Sequence, residues 1–328
     1  MEDAGLRSAR FRQEREAGWK ALSKLVERVE QSGPRSLSFD EARELATLYR
    51  QTSSALAVAR DISLDAGLLR YLEALTARAY LAVYAPQGSL AGLVSRFFRQ
   101  TAPRALRRSV WYILLGVLAL ALGALLGATL YFEDQAWYGT FVPSGLAGPR
   151  HLGASTETLL DVIYGDQTDG LGGFATYLFA HNTRIAVMVF GLGAFLAAPA
   201  FMLTFYNGLI FGAFVALHME RGLGLDIFAW LSVHGVTELA AICIASGAGM
   251  MMGLAPLFPG ERRRVDALFE ASKDAVALAL VAAVMLMVAA LLEGFARQLV
   301  QSIELRLAIG WGVGALWLLW ALLGGRRA

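Results

Sequence analysis

The chain has 328 residues, 56% of them hydrophobic, with a mean hydropathy of +0.51 and a formal net charge of +2. So small a charge excludes a nucleic-acid binder working through a basic surface, and a single cysteine, Cys243, excludes an internal disulfide or a thiolate metal cluster. Several apolar stretches of about 18 residues or more can cross roughly 30 Å of hydrocarbon, which marks an integral membrane protein.

Residues 1–30 are charged and helical in pattern, without the apolar segment and small-residue site of a cleavable signal, so the N-terminus is expected to stay in the cytoplasm. Phe11, Trp19, Leu22, Val26 and Val29 form one stripe at helical spacing, and Leu45, Leu48, Tyr49, Thr52 and Leu56 form another. Between them Gly33-Pro34 breaks the pattern, and Ser38 with Glu41 has the spacing of a capping box that starts a second helix. A third helix is expected over 62–84, ending before Pro86. These make an N-terminal cytoplasmic helical domain over residues 1–88. Residues 89–109 then set Leu90, Leu93, Val94, Phe97 and Phe98 against Arg96, Arg99, Arg104, Arg107 and Arg108. That pattern suits a helix in the anionic headgroup layer, and equally one packed on its own domain.

From 110 to 328 hydropathy predicts six spans, at about 110–132, 182–199, 201–218, 228–253, 275–293 and 305–323. The expected fold class is all-α: a polytopic membrane protein of about six transmembrane helices with the helical domain in front. With the N-terminus inside, the internal flanks hold Arg104, Arg107, Arg108, Arg262, Arg263, Arg264, Lys273, Arg326 and Arg327. The external connections hold only Arg150, Arg221 and Arg297, with Arg184 and Arg306 at boundaries, so both termini are expected to be cytoplasmic. The external connection 133–180 carries Glu133, Asp134, Glu157, Asp161, Asp166 and Asp169, and its FATYLFA stretch is expected to form a short helix on or dipping into the outer surface. Near Pro199 a tight hairpin and a re-entrant pair both fit. Gly123/Gly127, Gly208/Gly212, Gly249/Gly253 and Gly310/Gly314 have the spacing that lets membrane helices approach closely. Contacts inside the chain are favoured over a homo-oligomer, because each such span has neighbours in the same chain.

Ionisable residues at membrane depth are costly and so select for a role. His234 and Glu238 lie four residues apart on one helix face that continues through Ala241, Ala245 and Gly249. His181, Asn182 and Arg184 open the second span, and Asn207 and His218 share a face of the third. Three readings compete for this cluster. It clips helices together by hydrogen bonds. Or it is a hydrolytic site in which His234, with His181 or His218, ligates a divalent metal such as zinc and Glu238 is the general base. Or it lines a conduit or substrate groove. The chain has no Walker-type phosphate loop.

The succession His181-Asn182, Phe205-Tyr206-Asn207-Gly208 and HGVTELAAICIASGAG at 234–249, with a basic turn after Pro259, resembles the stage II sporulation protein M family, also called the DUF95 family. The LYR and LAVARD stretches at 48–50 and 56–61 resemble the longer members. The resemblance implies a polytopic protein of the bacterial cytoplasmic membrane. In sporulating members it implies an anchor and scaffold for peptidoglycan-degrading partners; other relatives accompany circular bacteriocin production or lie beside MoxR-type ATPase genes. It supplies no catalytic residue. The expected function is therefore a membrane scaffold or assembly factor for envelope or peptidoglycan-remodelling proteins. An intramembrane hydrolase or peptide-processing enzyme using His234 and Glu238, and a transporter lined by them, are the alternatives.

Overall fold

A computed structural model describes residues 2–61, 66–84, 90–165, 171–296 and 300–326, and among these there is no strand. The chain forms two compact units, Met1–Leu93 and Val94–Ala328.

The first unit is built of α1 (Glu2–Ser32), α2 (Phe39–Asp61) and α3 (Ala66–Tyr84). Trp19, Leu22 and Val26 of α1 are buried with Leu45, Leu56 and Ala59 of α2 and Leu72, Leu75 and Ala79 of α3. Those positions recur every three or four residues, so each helix turns one stripe inward. Gly33, at φ +77°, takes the left-handed conformation that ends α1. The expected capping box starts α2: Ser38 Oγ accepts from Glu41 N at 3.2 Å, and Ser38 N donates to Glu41 Oε2 at 2.9 Å. That backbone bond, then the Arg28 guanidinium, hold the Glu41 carboxyl below the usual carboxylate range. The expected third helix starts at Ala66, and positions 62–65 lie outside the described residues.

The second unit contains α5 (Ala102–Arg108), α6 (Val110–Glu133), α7 (Ala136–Phe141), α8 (Ser144–Ala147) and α9 (Thr156–Tyr164). The long helices α10 (Leu171–Phe195), α11 (Ala197–Glu220), α12 (Gly224–Leu254), α13 (Arg264–Leu291) and α14 (Ile303–Leu323) follow. A short α4 (Leu90–Arg96) and a π-turn at Phe97–Thr101 lead into α5. Helices α6, α11, α12, α13 and α14 are long and apolar enough to cross a membrane. The remaining expected span, 182–199, falls on α10, which stops at Phe195; a single extended residue, Leu196, separates it from α11. The break therefore precedes Pro199, which sits in the first turn of α11, where backbone N–H groups have no intrahelical partner to lose.

Helix directions follow from which residues touch. Gly123 and Gly127 of α6 lie against the carbonyls of Phe205 and Leu209, while Gly208 and Gly212 of α11 lie against those of Leu120 and Ala124. The numbers rise together, so α6 and α11 run parallel. Some element between them must return the chain, and α10 does: Asn182 meets Glu238 and Gly193 meets Gly249, placing α10 parallel to α12. Helix α12 is antiparallel to α6, since Gly116 lies on Cys243 and Gly247 on Ile113. The FATYLFA stretch is consequently the start of a long helix and not a separate surface one, because no proline interrupts 171–195.

All the glycine pairs singled out in the sequence make contacts inside the chain. Gly249 and Gly253 receive α10, and Gly310 and Gly314 of α14 lie on Ser232 and Val236 of α12. Helix α12, the most enclosed, is the hub.

The arginine-rich approach to α6 is tied into this bundle. Ala102, Ala105 and Leu106 are buried, and Arg107 donates to Ala321 O at 2.5 Å and Gly324 O at 2.8 Å. Arg104 donates to Gly325 O, and Trp320 Nε1 donates to Phe98 O at the π-turn. The C-terminal carbonyls of α14, which lack helical partners and carry negative partial charge, thus receive two guanidinium groups.

Candidate functional site

Near the end of the bundle opposite α5, the N-terminal halves of α10 and α12 meet the middle of α11 around a cavity of about 110 Å³. Glu238 and Asn182 are both buried there, and Asn182 Nδ2 donates to Glu238 Oε2 at 2.7 Å. The bond joins α10 to α12. His234, one turn earlier on α12, lines the same cavity and is buried, with Trp230 edge-on to its ring at 5.5 Å. From α10 comes His181, half-buried, and from α11 comes Asn207, buried beside Phe211 and Phe214.

The sequence thus identified five residues that do converge: His181, Asn182, Asn207, His234 and Glu238. Two others of the proposed cluster do not join them. Arg184 is exposed, and His218, wholly buried, is absent from the cavity wall. His218 Nδ1 donates to Phe214 O at 2.8 Å, an intrahelical bond that turns its ring along its own helix. Among the described residues no group of three or more His, Cys, Asp or Glu is arranged to hold a metal ion. A second clip lies deeper, where Thr204 Oγ1 of α11 is 2.8 Å from Ser246 Oγ of α12.

One lining residue that sequence reasoning counted only as an external charge is Arg150. It is 2% exposed and bends back into the bundle, with Nε and Nη2 donating to the carbonyls of Ala147 and Leu146. Its guanidinium lies over Phe214 at 5.2 Å and Trp230 at 5.7 Å. Tyr138 fixes the turn by donating to Arg150 O at 2.6 Å, and burial pushes its phenol up to about 12. Nothing in the charge pattern separates Arg150 from a solvated loop arginine. Trp230, by contrast, carries a signal, since it stands four residues before His234 on the same face.

Arg306 behaves similarly. It is 1% exposed and donates to Val300 O and Ile163 O, beneath the ring of Tyr164. Tyr164 in turn donates to Asp226 Oδ1 at 2.6 Å, and burial followed by that bond raises its phenol to about 12. These contacts tie α9 to α12 and α14, closing the bundle beside the cavity.

Chemically, the cavity offers a carboxyl bonded to Asn182, two carboxamides, two imidazoles and a shielded guanidinium among apolar walls. The model of the family described as Stage II sporulation protein M matches residues 118–296, which include every residue of this cavity. A domain of unknown function, DUF8413, matches residues 9–85, the first helical unit. No curated protein and no solved structure matches the chain. The match covers more than half of the chain, and the protein belongs to the stage II sporulation protein M family.

Proposed function

We propose that this stage II sporulation protein M family member is a membrane-embedded scaffold that gathers envelope or peptidoglycan-remodelling proteins, in the cytoplasmic membrane of a bacterium. The observation that carries the reading is the use made of Glu238. The most costly residue at membrane depth is bonded to Asn182 between two helices, in a bundle whose helices already touch backbone to backbone. Such packing suits a rigid platform. Partners then have the first unit to grip, where Tyr49, Tyr80 and Tyr84 pack together with tilted or edge-on rings, Tyr80 52% and Tyr84 60% exposed.

The test is crosslinking of the full chain in its own host. An envelope hydrolase captured by the wild type should be captured equally by folded Glu238→Gln and lost with Tyr80→Ser/Tyr84→Ser. Capture lost in folded Glu238→Gln would overturn the scaffold reading.

The same reading puts both termini in the cytoplasm. Arg104, Arg107 and Arg108 precede α6, and Arg262 and Arg263 precede α13, which opens with Arg264, at one end of the bundle, while the acidic connection lies at the other. In a Cys243→Ser background, an impermeant maleimide added to intact cells should label Glu157→Cys and spare Glu261→Cys. Labelling in the reverse pattern would invert the topology.

A further inference from the structure

A second hollow, of about 450 Å³, opens at the end of the bundle where α5 leads into α6 and α12 turns back into α13. Part of its lining is apolar, supplied by Tyr112 of α6, Met251 of α12, and Ala255 and Phe258 of the turn that follows. The rest carries five charges, and four of them are already paired: Arg108 Nη2 donates to Asp274 Oδ1 at 2.5 Å, and Lys273 Nζ donates to Glu270 Oε1 at 2.7 Å. The fifth is Arg262, which acts on Glu270 through space but forms no ion pair with any described residue. Around the hollow Phe258 is 78% and Phe269 62% exposed, where two helices of membrane-spanning length meet. Large apolar side chains so bare, beside an unpaired arginine, belong at the boundary between acyl chains and headgroups.

We propose that this hollow binds one anionic phospholipid, with its phosphate on the Arg262 guanidinium and the start of an acyl chain against Ala255 and Phe258. The arginine fork matches the two free oxygens of a phosphodiester. A headgroup that also carries an ammonium would need a free carboxylate, and Asp274 and Glu270 are both engaged, so a net negative headgroup is preferred to a zwitterionic one. The volume falls within the range of about 300–1,000 Å³ typical of small-molecule sites, which suits a headgroup whose tails remain in the bilayer. A soluble phosphate would use Arg262 and leave the apolar lining uncovered. The inference does not rest on the scaffold reading or on which end of the bundle faces the cytoplasm, and it stands if either fails.

The experiment is native mass spectrometry of the full chain released from detergent micelles, titrated with phosphatidylglycerol or with phosphatidylcholine of the same acyl chains. One phosphatidylglycerol per chain should be retained in preference to phosphatidylcholine. Arg262→Gln should weaken phosphatidylglycerol binding roughly fivefold, the share of one basic side chain at an anionic surface, with thermal stability retained. Arg262→Lys should keep most of the binding, and Arg43→Gln, which removes the same charge from an exposed position of the first unit, should change nothing. Ala255→Trp fills the hollow without altering charge and should release the lipid; should that variant not fold, Ala271→Leu narrows the same hollow. Phosphatidylcholine held as tightly as phosphatidylglycerol would overturn the proposal, as would binding indifferent to Arg262 and to the filling of the hollow. An equal loss in Arg43→Gln would reduce the effect to net charge, and displacement of the lipid by glycerol 1-phosphate would assign the site to a soluble phosphate; either result overturns it as well.

Discussion

Replacing Gly212 by alanine is expected to destabilise the protein by about 1–3 kcal/mol, and by leucine to prevent α6 and α11 from assembling. The Cβ of either residue would occupy the space of the Ala124 carbonyl, which is backbone and cannot rotate away. Relief requires the two helices to move apart along a contact that Gly123, Gly127 and Gly208 share. In a membrane that separation is especially damaging, because close van der Waals packing replaces the hydrophobic drive that holds soluble helices together. Gly312→Ala is the control, since a Cβ there meets nothing within 4 Å. Equilibrium unfolding in mixed micelles should separate the two variants clearly. Equal stability of Gly212→Ala and Gly312→Ala would mean that the α6–α11 contact is not as described.

Asn182→Ala is expected to cost about 1–3 kcal/mol, more than Glu238→Gln. The asymmetry comes from what each change leaves behind. A side-chain hydrogen bond between membrane helices contributes only about 0.6 kcal/mol on average and at most ~1.7, so the bond itself is a small term. Removing Asn182, however, strands the Glu238 carboxyl in a buried site, whereas the Gln carboxamide still accepts from Asn182 Nδ2. If Glu238→Gln proved the more damaging in the same unfolding assay, Glu238 would be held by something other than Asn182. A double-mutant cycle on the two positions isolates their coupling.

The two helix-forming patterns were legible for different reasons. In the first unit, Trp19, Leu22 and Val26 repeat at the helical period against polar neighbours, so the buried face could be read directly. In the second unit nearly every position is apolar, and periodicity says little about which face is inside. There the informative residues were the exceptions: glycines in pairs, and Asn182, Asn207, His234 and Glu238 where hydrocarbon should be. His218 shows the limit of that logic, since its Nδ1 bonds Phe214 O on its own helix and its ring does not join the cavity wall.

By itself the sequence determined the membrane class, the all-helical fold, the close-packing glycine pairs and the residues worth asking about, because each depends on local composition or spacing along one helix. Only the tertiary structure decided which of them meet. That Asn182 bonds Glu238 depends on α10 running parallel to α12, a consequence of the break at Leu196, and no spacing encodes a distance of 56 positions. Arg150 and Arg306 were hidden for the same reason: a guanidinium can be held by carbonyls such as those of Leu146 and Ile163, and every residue has a carbonyl.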